Sequence, residues 1–152
     1  MVDKHVRMAE AKTVEGSEKI ISEGIGSCVV VCLRDSEKEL GGLAHVVLPS
    51  KQKSNESCKY ADNVLEELLE KIEQKGGDLE ALEAKIFGGA HLFDFSSQIG
   101  DKNIEAVQEF LKEHGIPIMA EDTGGEKGRS IKFDPVTGKV EVKKSFEDEE
   151  VY

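Results

Sequence analysis

The sequence predicts an α/β (α+β) fold, a single-domain layered sandwich of mixed and antiparallel strands with two main helices. Three observations predict it. The chain has 152 residues, about one domain's worth. Two segments carry apolar residues at helical spacing, Ala61–Ile72 and Ile104–His114. The remaining apolar residues fall in short β-branched runs separated by glycine, proline and charged turns.

Taken in order, Val6, Met8 and the pair Ile20-Ile21 suggest strands flanking a polar loop at Thr13–Ser17. Cys28–Leu33 and Leu43–Leu48 are apolar without helical period and enclose the charged turn Arg34–Gly42, which predicts a hairpin of buried strands. The polar stretch Pro49–Ser57 reads as a mobile loop leading to a helix. That helix places Ala61, Val64, Leu65, Leu68, Leu69 and Ile72 on one stripe and stops at Gly76-Gly77. Ala84–Phe87 is a short strand running into Gly88-Gly89, followed by a loop carrying His91, Phe93 and Phe95. The second helix has the stripe Ile104, Val107, Phe110, Leu111 and His114, with Asp101 or Asn103 as N-cap and Gly115 and Pro117 as its end. Ile116–Glu121 reads as a strand. Ser130–Phe133 and Val140–Val142 form a terminal hairpin about Asp134–Gly138. Residues 1–145 thus make the domain, and the acidic tail 146–152 is expected to be disordered.

Composition removes several functions. With 20 Lys+Arg against 31 Asp+Glu, the net charge of −11 would repel phosphate backbones, and no basic cluster with aromatics overrides it, so nucleic acid is not an expected partner. No apolar run approaches a bilayer span and the N-terminus lacks an apolar signal core, which predicts a cytoplasmic chain without membrane insertion. Cys28, Cys32 and Cys58 are an odd set without CxxC spacing, which suits a reducing compartment. His5, His91 and His114 are scattered without ligand spacing, so neither a metal nor another cofactor is expected. Gly88-Gly89 and Gly124-Gly125-x-x-Gly128 lack the residues of a phosphate loop and read as tight turns.

The chemistry concentrates at Gly24-Ile25-Gly26-Ser27-Cys28. Two glycines free the backbone before a cysteine that opens an apolar strand, so the Gly26 and Ser27 backbone can aim N–H groups at one spot. A carbonyl attacked by Cys28 would develop its negative charge there, which is the arrangement of an oxyanion hole. A thiol needs a base to become a nucleophile, and His45 on the partner strand of the hairpin sits at a similar height. Whether the two side chains share a face depends on the register. Cys32, among Val and Leu, and Cys58, in a polar segment, are read as structural.

These residues belong to a larger pattern. Gly24-Ile25-Gly26-Ser27-Cys28-Val29, Gly41-Gly42-Leu43-Ala44-His45, Leu48-Pro49, Lys59-Tyr60-Ala61-Asp62 and Ala84-Lys85-Ile86-Phe87-Gly88-Gly89-Ala90 occur in order. Ile99-Gly100-x-x-Asn103, Glu121-Asp122-Thr123-Gly124-Gly125 and Gly128-Arg129 follow. With them the chain resembles the CheD family, chemoreceptor glutamine deamidases of bacterial and archaeal chemotaxis. The resemblance implies a core similar to the cysteine hydrolase fold of the cytotoxic necrotizing factor toxins and a cysteine–histidine site at Cys28 and His45. It also implies a hydroxyl residue that orients the histidine. The family usually has Thr six positions before the cysteine, where this chain has Ser22. Beyond Gly125 the family often continues with Asn, and this chain has Glu126-Lys127. The implied reaction is hydrolysis of glutamine side-chain amides on the cytoplasmic helices of methyl-accepting chemotaxis receptors. A CheC-type phosphatase is a further implied partner. Two other roles use the same surface: a non-catalytic module docking on such a phosphatase or receptor, and a glutamyl methyl-ester hydrolase.

Overall fold

The computed structural model describes residues 3–49, 57–91, 97–145 and 149–152. Among the described residues ten strands and two long helices follow one another: β1 (Lys4–His5), β2 (Ala11–Glu15), β3 (Ile20–Ile25), β4 (Val29–Asp35), β5 (Leu40–Val46), α1 (Ala61–Gln74), β6 (Leu82–Gly88), α2 (Ser97–Glu113), β7 (Ile118–Thr123), β8 (Arg129–Phe133), β9 (Val140–Lys144) and β10 (Glu150–Val151). One sheet has the order β2-β5-β4-β6-β7 and the other β1-β3-β8-β9-β10. Both are mixed, with β6–β7 and β1–β3 parallel and the remaining pairs antiparallel. The mixed α/β single domain expected from the sequence is what forms.

Strand alternation sorts the layers. Val29, Val31 and Leu33 of β4, with Ala44 and Val46 of β5, join Val64, Leu65, Leu68 and Ile72 of α1 and Val107 and Leu111 of α2 in one core. Val30, Cys32 and Leu43 point the other way and meet Ile20, Ile131, Phe133, Val140 and Val142 of the second sheet. The helices therefore cover one face of the first sheet and the second sheet covers the other. Each fully buried leucine in these layers stabilises the fold by roughly 1.5–3 kcal/mol. The central hairpin is flush with both layers at Gly41 and Gly42. A Cβ on Gly41 would stand 2.8 Å from the Phe133 ring, and one on Gly42 would run into Leu68.

Several boundaries differ from expectation. Thr13–Glu15 is not loop but the end of β2, paired with Leu40–Gly42, because this edge strand buries Ala11 against the helix layer and Val14 against the second sheet. Arg34, Asp35 and Leu40–Gly42 belong to the hairpin strands, which leaves a turn of Ser36–Glu39. Asp35 is buried because its carboxylate accepts from the Glu37 and Asp78 N–H groups. α2 begins at Ser97, so neither Asp101 nor Asn103 is its N-cap. Its first turn carries an exposed Ile99, so the apolar stripe starts later than the helix. The tail expectation fails for its last residues. Glu150–Val151 pairs with β9, and Tyr152 stacks edge-on against Phe87 while its hydroxyl lies within hydrogen-bond distance of both the Asp122 and Glu150 carboxylates. Residues 146–148, most of the loop at Pro49–Ser57, and Phe93 and Phe95 lie outside the described residues.

Candidate active site

The register sets the geometry that the sequence leaves open. His45 lies opposite Val30, and Val29 opposite Val46. Cys28 stands one residue before β4 begins and two before Val30; continuing the alternation that turns Val30 and Cys32 toward the second sheet would set it on the His45 face, diagonal to it. His45 sits where the two sheets meet and is 1% exposed, and Cys28 is 8% exposed.

Ser22 reaches the same place from the opposing sheet. It lies in β3, 1% exposed, and its Oγ is 3.1 Å from His45 Nδ1. The hydroxyl donates its proton to the Val6 carbonyl oxygen at 2.9 Å. With that hydrogen committed to an oxygen that can only accept, Ser22 Oγ can only accept from the imidazole. Nδ1 therefore carries the ring proton and Nε2 the lone pair. Among the described residues Nε2 is buried without a hydrogen-bond partner. A buried unpaired acceptor costs about 1–3 kcal/mol and is the kind of exception that marks a working group. The turn between β1 and β2 fixes the backbone of the same residue: Ala9 N–H donates to the His45 carbonyl and His45 N–H donates to that of Glu10, both at 3.0 Å. Ala9 adopts a φ of 64° to do so.

Burial governs both titrations. It pushes the His45 imidazole down to about 4, against smaller upward effects of the Val6 carbonyl and Glu10. It also raises the Cys28 thiol, partly opposed by that residue's own N–H. At neutral pH the pair is thiol and neutral imidazole rather than an ion pair.

The loop before Cys28 is held by its carbonyls. Gly26 accepts from Ala90 N–H at 2.9 Å, Ser27 from Asn103 Nδ2 at 3.0 Å, and Cys28 from Gly89 N–H at 2.8 Å. Gly24 takes a left-handed φ of 67°, whereas Gly26 does not. A Cβ on Gly88 would run into the Cys28 carbonyl, so that turn requires glycine. The neighbouring turn at Gly124-Gly125 joins the same wall through Gly124 N–H to Gly88 and His91 N–H to Gly125.

The family follows from comparison with known proteins. A family model described as CheD chemotactic sensory transduction matches residues 47–144, beginning two residues after His45. A Thermotoga maritima protein named chemoreceptor glutamine deamidase CheD is 42% identical over 143 residues, covering 93% of this chain and 91% of its own. The chain belongs to the CheD family. A Clostridium novyi protein with the name probable chemoreceptor glutamine deamidase CheD is 44% identical over 146 residues, covering 91% of this chain and 90% of its own. Among the described residues no helix is long and apolar enough to cross a membrane.

Other candidates stand apart from Cys28. Cys32 is buried between the sheets, and burial raises its thiol far out of reach of neutral pH. Cys58 packs at the edge of the helix layer with its sulfur 4.0 Å from Glu67. His5 pairs with Glu23, His91 with Asp101 at 2.8 Å, and His114 stacks on Phe110. Among the described residues no three of His, Cys, Asp and Glu cluster for a metal. Two features escape composition and periodicity. One is the reach of Asn103 into the Cys28 loop, whose only trace is the Gly100-x-x-Asn103 spacing. The other is the buried Asp122–Arg129 pair at 3.1 Å, joined by Lys144 and Tyr152.

Proposed function

We propose that this chain is a protein-glutamine deamidase that acts on chemoreceptors in the cytoplasm, with Cys28 as nucleophile, His45 as general base and acid, and Ser22 as the orienting residue. The observation that carries this reading is the Ser22–His45 contact at 3.1 Å, with Nε2 buried and unpartnered among the described residues and Cys28 buried just ahead of β4, whose Val30 lies opposite His45. The names of its relatives support the substrate class.

In this mechanism Nε2 takes the thiol proton as Sγ attacks the side-chain carbonyl carbon of glutamine. The C–S bond forms, the carbonyl oxygen becomes an oxyanion, and backbone N–H groups of the Gly26–Cys28 loop stabilise it. Collapse breaks the C–N bond, and ammonia leaves with the proton from His45. Water then attacks the thioester while His45 takes one of its protons, and the thiol recovers that proton as glutamate is released. Ser22 keeps Nδ1–H fixed throughout and favours the imidazolium that forms transiently. Because the pair rests in its neutral form, proton transfer accompanies attack and the thiolate is not stored. A receptor helix presents its glutamine with a shape rather than a charge match, since a net charge of −11 does not attract an acidic surface. A CheC-type phosphatase would compete for the same face.

The test is peptide mapping of a cognate receptor cytoplasmic fragment after incubation with wild type, Cys28→Ala and Cys58→Ala. Conversion of specific glutamines to glutamate by wild type and Cys58→Ala, with none by Cys28→Ala, is expected. A fragment that binds wild type and stays unmodified would instead favour a docking role.

A further inference from the structure

Helix α2 approaches the Cys28 loop more closely than its apolar stripe requires. A Cβ on Gly100 would stand 2.8 Å from the Gly89 carbonyl oxygen and 3.1 Å from that of Ala90, so the helix touches the turn that follows β6. Asn103, three residues on, is fully buried and extends Nδ2 to the carbonyl oxygens of Ser27 and Val47, each at 3.0 Å. Both partners are acceptors, so both amide hydrogens are used and the side chain has one workable orientation.

This contact fixes a peptide plane. In a trans peptide the N–H points opposite to the carbonyl that precedes it. Asn103 holds the Ser27 carbonyl toward α2, so the Cys28 N–H is turned away from the helix, to the side of its own thiol, whose pKa it helps to lower. The Ala90 N–H does the same for the Gly26 carbonyl and hence for the N–H of Ser27. Among the described residues neither of these two N–H groups donates to another residue. The second bond of Asn103 ties this loop to Val47, two residues beyond His45 on the neighbouring strand.

We infer that Asn103 is a positioning residue for the oxyanion site: it orients the Ser27–Cys28 peptide so that the Cys28 N–H faces the substrate's carbonyl oxygen, and Gly100 lets α2 come near enough for it to do so. The inference rests on Cys28 being the nucleophile. Asn103 itself touches no reacting atom. Its effect falls on the transition state, where the oxyanion exists, and spares ground-state binding.

The experiment uses the full chain with Asn103→Ala, Asn103→Asp and Gly100→Ala, a receptor fragment as substrate, and iodoacetamide as a probe of Cys28. Iodoacetamide reacts at a saturated carbon and builds no oxyanion, so it separates the two contributions. Asn103→Ala is expected to lower kcat on the order of 10- to 100-fold, with KM and the alkylation rate within about threefold of wild type. Asn103→Asp keeps the shape but faces two carbonyls with a carboxylate, so its kcat falls further. A packing role predicts the reverse order, with Asp the milder change. If both Asn103 variants fail to fold by circular dichroism, Gly100→Ala displaces the helix and is expected to lower kcat with alkylation retained. An unchanged kcat, or alkylation falling in proportion to kcat, overturns the inference. Turnover by Cys28→Ala would overturn the nucleophile assignment instead, whatever the Asn103 variants do.

Discussion

Alkylation of Cys28 by iodoacetamide is expected to accelerate about tenfold per pH unit from roughly pH 6 to 8.5 without a plateau. The perturbation is pH itself, and the magnitude comes from the surroundings of the thiol. Burial raises Cys28 above its ordinary 9.0. Even at 9.0, less than about 1% would be thiolate at pH 7. A neighbouring imidazolium would change this, but His45 is pushed down to about 4 and is neutral at that pH. Rates would be followed by peptide-resolved mass spectrometry, with the more exposed Cys58 as internal control. His45→Gln should leave this profile nearly unchanged while deamidation drops on the order of 10²- to 10⁴-fold, because His45 acts on the moving proton rather than on a stored thiolate. A plateau below pH 7.5, abolished by His45→Gln, would mean a thiolate–imidazolium pair and refute the reasoning.

Further outcomes follow from the same geometry. The lowered value of His45 makes the unfolded chain the tighter proton binder between about pH 6.5 and 4, so stability is full above that window and declines as pH falls through it. The difference approaches about 3 kcal/mol at pH 4, and urea midpoints for His45→Gln should lack that part of the slope. Ser22→Ala leaves the Nδ1 proton without its 3.1 Å acceptor, which should cost about 1–2 kcal/mol of stability and about tenfold in kcat, read by denaturation and by turnover. Gly42→Ala drives a methyl into Leu68 and against the Lys12 carbonyl at 2.9 Å; a loss of about 1–3 kcal/mol in urea unfolding is expected, and a neutral effect would contradict the close packing. Tyr152→Phe removes the donor that anchors β10 to Asp122 and should cost about 1–2 kcal/mol and expose the β10 amides to hydrogen exchange.

How legible the molecule was in its sequence differs by element. α1 could be read residue by residue, because Ala61 to Ile72 form one stripe and all six of those side chains are buried. The hairpin β4–β5 is legible as two apolar runs, yet its turn is shorter than the sequence suggests, since Gly41 and Gly42 look like loop residues when the reason for them is Phe133 and Leu68 overhead. The start of α2 was hidden for a related cause: Gly100 interrupts the pattern to admit the Gly89 carbonyl, and Ile99 faces solvent. β10 was not visible at all, because two residues with exposed side chains carry no period, and Tyr152 is held by Asp122, which lies 30 positions away.

By itself the sequence determined a one-domain α/β chain, its two amphipathic helices, and the proximity of Cys28 to a Gly-rich turn, all of them consequences of local spacing and of side chains that must leave water. The tertiary structure decided the rest. Only pairing of β4 with β5 fixes which face His45 takes, only the packing of two sheets brings Ser22 and Val6 to its ring, and only the seating of α2 puts Asn103 on the Ser27 carbonyl. Each is a contact between residues 15 to 76 positions apart, from His45 opposite Val30 to Asn103 on Ser27, set by burial of whole layers, so no local pattern encodes it.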